Sequence, residues 1–119
     1  MEKIKTFEDA CRKLGITEKL PEVSMLPKDQ QEAIIAHYKL MIIAQALNGK
    51  WKPDWTNDNQ YKYYPWFNME SGSGLSFHGC AYWSSYSPVG SRLCFKSREL
   101  AEYAGKRFKD LYEQYFVIK

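Results

Sequence analysis

His78 and Cys80 occupy alternate positions in the run Leu75 to Ser85, and Cys94 follows in a second β-like run. In a strand, side chains alternate between faces, so His78 and Cys80 are expected to point the same way. Cys94 on the next strand would be their cross-strand neighbour. Three soft ligands on one sheet face are the beginning of a zinc site. A Cys–His pair is also the beginning of an activated nucleophile. Both are incomplete. A structural zinc takes a fourth ligand, and no Cys or His pair at metal spacing supplies it. The nucleophile needs a third group to orient the histidine, and none is indicated. A free cysteine in such a setting is ordinarily a small buried hydrophobe, and that is the reading adopted.

His37 lies in a strongly apolar stretch and reads as a packed core histidine. No paired carboxylates, Gly-rich phosphate loop or Gly-x-Ser-x-Gly elbow is present,. Ser71-Gly72-Ser73-Gly74 lacks the Lys-Ser/Thr and helix of a phosphate loop and reads as a hairpin turn,. No catalytic residue, metal ligand or cofactor is therefore expected.

The aromatic residues are the unusual feature. The chain holds 4 Trp, 9 Tyr and 6 Phe, 16% of its residues. Most lie between Trp51 and Phe95, and Trp51, Trp55, Tyr63, Tyr64, Trp66 and Tyr82 form the candidate binding surface. Aromatics on a sheet stack on nucleic-acid bases, at about 1–3 kcal/mol per base. They also stack on sugars, anchor protein partners, or simply fill a core. Charge separates these roles. Residues 51–95 carry Lys52, Lys62 and Arg92 against Asp54, Asp58 and Glu70, a balance of zero. Nucleic-acid affinity rests on phosphate neutralisation. Such a platform would have to borrow Arg98, Lys106, Arg107 and Lys109 from the following helix.

These residues need elements to position them. A helix is expected over about 6–14, with Thr6 as its cap and Gly15 as its stop,. A central helix over about 28–47 follows Pro27. It is apolar on all sides in its second half, as a helix buried among several neighbours would be,. Strands are expected over about 61–69, 75–85 and 91–96, with Pro65 limiting the first to an edge or a bulge,. Short turns between them imply an antiparallel three-stranded meander. The last helix, over about 98–116, starts at Ser97 and carries a core stripe of Leu100, Ala104, Phe108, Leu111 and Tyr115,. Gly105 inside it costs about 1 kcal/mol against alanine, which implies close approach of another element. The expected fold is α+β: a three-stranded meander packed on a central buried helix and a C-terminal amphipathic helix.

At 119 residues the chain fits one domain,. Its net charge of +3 comes from 17 basic and 14 acidic residues interleaved throughout, the pattern of a solvated surface,. Three widely spaced cysteines give no disulfide framework and point to a reducing compartment,. No signal-peptide run opens the sequence, and no stretch is apolar and long enough for a bilayer span,.

Two stretches resemble known sequences. One runs from Trp51-Lys52-Pro53-Asp54-Trp55 through Tyr63-Tyr64-Pro65-Trp66-Phe67, and the other from Val89 to Phe108. With Phe7-Glu8-Asp9-Ala10-Cys11, they are similar to a family of small uncharacterised proteins of Bacteroides-type gut bacteria and their phages. The resemblance implies a mobile-element context and a bacterial cytoplasm, and it implies no site residues. The resulting expectation is a non-enzymatic accessory protein that acts as a protein–protein module or homo-oligomer. A single-stranded nucleic-acid binder is the alternative and a small enzyme the third reading.

Overall fold

The structure, a computed structural model, describes residues 3–70 and 75–118. Ser71-Gly72-Ser73-Gly74, read above as a turn, lie outside the described residues. Helix α1 (Phe7–Leu14) begins where the extended backbone of Thr6 lets its hydroxyl accept the Asp9 N–H at 3.0 Å,. It ends at Gly15, whose φ of 68° is left-handed,. Phe7, Ala10 and Cys11 make its buried stripe.

Helix α2 (Lys28–Asn48) has apolar residues on several sides because it has neighbours on several sides. Helices α1 and α4 (Lys109–Phe116) pack along it, and α3 (Arg98–Arg107) and a 3-10 turn at Ser91–Leu93 touch it more lightly. Ala36, Leu40, Ile43, Ala44 and Leu47 are buried there. At its end Asn48 holds a distant segment with both ends of its amide. Nδ2 donates to the Cys94 carbonyl at 2.9 Å, and Oδ1 accepts the Lys96 N–H at 3.0 Å.

Strands β1 (Lys62–Asn68) and β2 (Ser76–Trp83) pair antiparallel and are the whole sheet among the described residues. The expected three-stranded meander is thereby corrected. Ser91–Leu93 is a 3-10 turn entered through Gly90 at φ 73°. Only Phe95 reaches the sheet, exchanging two backbone hydrogen bonds with Tyr63 at 2.9 and 2.7 Å. It joins β1, not β2, so the order is not that of a meander either. Pro65 gives a physical reason. Alternate residues of a strand aim their backbone groups at the same edge, so Pro65 follows Tyr63 on the Phe95 side and has no N–H to give. The other side of the 94–96 stretch is taken by Asn48. A ladder has nowhere to grow.

The sheet also contains a bulge. Trp66 faces Gly79 while Phe67 faces Phe77, which leaves His78 as an extra residue on β2,. The sheet rests on α3 rather than on the central helix. Glycine makes this approach possible, because a methyl group on Gly105 would stand 2.6 Å from Pro65 Cβ and 2.7 Å from Phe77 Cε1.

One helix was expected over 98–116, and the chain forms two. It breaks at Phe108, with φ −110° and ψ 27°. Beyond the break Tyr112 is 3% exposed, while Leu111 and Tyr115 are only partly covered. The break lets α3 serve the sheet and α4 serve α2, two surfaces that one straight helix does not meet. Among the described residues, no helix is long and apolar enough to cross a membrane.

Candidate functional site

One face of the β1–β2 hairpin lies on α3. The other carries Tyr64, Trp66 and Trp83, together with the bulged His78. Trp66 is 57% exposed and Trp83 47%. The Trp66 and His78 rings meet edge to face at 5.6 Å. Trp83 Nε1 donates to the Tyr64 hydroxyl at 2.7 Å. These four side chains make an aromatic surface turned away from the helices.

The end of this face nearest Lys62 is closed. Lys62 is 1% exposed. Its ammonium donates to the Asn57 carbonyl at 3.1 Å and the Ser84 carbonyl at 2.5 Å. It also lies 5.0 Å from the centre of the Trp55 ring, a cation–π contact,. Trp55 in turn donates its indole N–H to Ser91 Oγ at 2.6 Å. A buried charge is tolerated here because its donors find carbonyls and a ring. Trp55 thus serves as a lid over Lys62.

The six aromatic candidates therefore fall into three places. Tyr64 and Trp66 sit on the outward face. Tyr63 and Tyr82 sit on the α3 side, where Tyr82 stacks on Tyr61 at 4.2 Å and lies 5.7 Å from Tyr63. Trp51 and Trp55 belong to the loop before β1, and Trp51 lines a groove with Tyr38 and Ile42 instead of joining Trp66. His78 and Trp83 were not among the candidates. Strict alternation put Trp83 on the same face as Phe77, and the bulge reverses that relation.

The basic positions are spread over the helices on the other side of the sheet. Arg98 donates to the Cys80 carbonyl at 3.2 Å and lies 5.4 Å from the Tyr63 ring centre. Lys106 pairs with Glu102 at 2.8 Å and lies over Phe77. Arg107 donates to the Lys5 carbonyl at 2.8 Å. Lys109 is 3.8 Å from Glu113. Each is held locally, and none lies beside Trp66.

The zinc and thiol readings separate in the same way. His78 turns outward to Trp66, while Cys80 turns to α3, its Sγ 3.7 Å from the Arg98 carbonyl. The expected shared face is lost to the bulge. Cys94 is buried against the Ser91 carbonyl, and desolvation pushes its thiol up to about 11. Burial also raises Cys80. Thiols so shifted are poor nucleophiles at neutral pH. Among the described residues, no group of three or more His, Cys, Asp or Glu is placed to hold a metal ion. His37 stacks on Tyr115 with 4.4 Å between ring centres, and its burial lowers its pKa.

Comparison with known proteins finds no similar family model, curated protein or solved structure.

Proposed function

We propose that this chain is a non-enzymatic binding module that seats a protein partner on the outward face of the β1–β2 hairpin. The role is that of an accessory protein of the mobile-element kind its sequence resembles, working in a bacterial cytoplasm. The observation that carries the reading is Trp66, 57% exposed and edge to face with His78, on the same sheet face as the bonded pair Trp83 and Tyr64. Exposed aromatic side chains gathered on one face mark interaction sites. Tryptophan and tyrosine are the side chains that most often dominate interface energy. The face's lysine, Lys62, is buried, and the lack of an exposed Lys or Arg on these strands suits the desolvated centre of a protein interface better than a phosphate backbone,.

The test compares wild type with Trp66→Ser, a change at an exposed position, with circular dichroism as the check that both are folded. Each is used to capture proteins from bacterial extract, and each is weighed by sedimentation at rising concentration. A protein retained by wild type and lost with Trp66→Ser supports the reading, and so does self-association lost in the same way. Identical capture and identical mass for both proteins would overturn it. A salt-sensitive shift of single-stranded DNA or RNA that depends on Trp66 would reassign the face to nucleic acid.

A further inference from the structure

A second concave surface lies away from the hairpin, where α2 ends. Tyr38, Met41 and Ile42 line an open groove of about 650 Å³, and Trp51 and Pro53 line it from the following loop. That volume is within the roughly 300–1,000 Å³ of small-molecule sites.

The chemistry of the groove is one-sided. Lys52 and Arg92 line it, and among the described residues no Asp or Glu does. Both cations are exposed, and neither pairs with an acid among the described residues. The Trp51 indole is a donor only, and none of the described residues accepts from it. Gln45 adds an exposed amide. Apolar and aromatic walls therefore meet a set of unpaired donors with a net positive charge.

We propose that this groove binds a compact organic anion with a flat apolar body. The body lies against Trp51, Pro53 and Met41, and Lys52 and Arg92 hold the anionic group. Arginine forks match carboxylate and phosphate alike, so either group satisfies the shared chemistry. The site is independent of the hairpin face. A competing role for the two cations is to offset the negative end of the α2 dipole, since α2 has no basic residue in its last turn,. That role calls for no ligand and predicts loss of stability in place of loss of binding.

The test follows tryptophan indole N–H resonances by ¹⁵N–¹H NMR, with Trp51 assigned from Trp51→Phe. The probes are 2-naphthoate, the neutral 2-naphthamide and adenosine monophosphate. At least one anion is expected to shift the Trp51 indole saturably while the Trp66 indole stays in place. The amide is expected to bind at least about tenfold more weakly, and a Lys52→Ala/Arg92→Ala variant to lose about tenfold or more in affinity for the anion. Trp66→Ser should leave this binding unchanged, so its result is separate from that of the hairpin. Response to naphthoate alone assigns a carboxylate, and response to the nucleotide alone assigns a phosphate. No saturable shift with either anion at millimolar concentration overturns the proposal. So does an amide that binds as well as the acid, or a double variant that melts lower but binds equally.

Discussion

Trp83 donates its indole N–H to the hydroxyl of Tyr64 on the neighbouring strand, at 2.7 Å. Tyr64 faces Ala81 and Trp83 faces Lys62 in the register, so the bond runs diagonally across the hairpin. It fixes two rings of the outward face relative to each other before any partner arrives. A preordered surface loses less side-chain freedom on binding.

Removing that bond should cost little stability, because both groups are near water. Tyr64→Phe is expected to lower stability by about 0.5–1 kcal/mol, measured by thermal melting. A larger loss, above about 2 kcal/mol, would make the pair a determinant of the fold and weaken the case that it preorders a binding face.

Gly105→Ala gives the opposite of what helix propensity predicts. Alanine favours a helix interior by about 1 kcal/mol, yet its methyl would press on Pro65 and Phe77 within 2.8 Å. Overpacking of this kind costs about 1–3 kcal/mol. Urea denaturation should show a lower midpoint, with partial recovery when Phe77→Leu is added. A raised midpoint for Gly105→Ala alone would contradict the contact.

Lys62→Met keeps the length of the side chain and removes its ammonium. The Asn57 and Ser84 carbonyls lose their donor, and the Trp55 ring loses its cation. An expected loss of about 1–3 kcal/mol follows from leaving such groups unsatisfied. The loop containing Asn57 should also exchange its amide hydrogens faster. Unchanged exchange there would show that Lys62 does not hold the loop.

His37 predicts a pH dependence. Burial lowers its pKa in the folded chain below the ordinary value of 6.5, so the unfolded chain takes up the proton more readily. Stability is then full above the unfolded value and falls as pH drops through the lower folded value. Wild type should lose urea resistance as pH falls below the ordinary histidine value of about 6.5, and His37→Gln should flatten that fall. Equal slopes in the two proteins would remove His37 as the cause.

The local signals in the sequence were sufficient for local structure. Thr6 and Gly15 bound α1, and the apolar run ending at Asn48-Gly49 closes α2, because caps and glycine stops act through neighbouring backbone groups,. Gly105 announced a close approach, although not which residues make it. The α+β class was legible for the same reason. What the tertiary structure alone decided depends on groups distant in sequence. Pro65 and Asn48 confine the expected third strand to one bridge at Phe95. The break at Phe108 turns Tyr112 inward because α3 and α4 serve different surfaces. Lys62 reads as a surface residue until a loop and a strand end bring two carbonyls and Trp55 to its ammonium. The outward face follows from pairing register. Leaving His78 over in the bulge parts Trp83 from Phe77, because side-chain direction in a sheet reverses with every residue,.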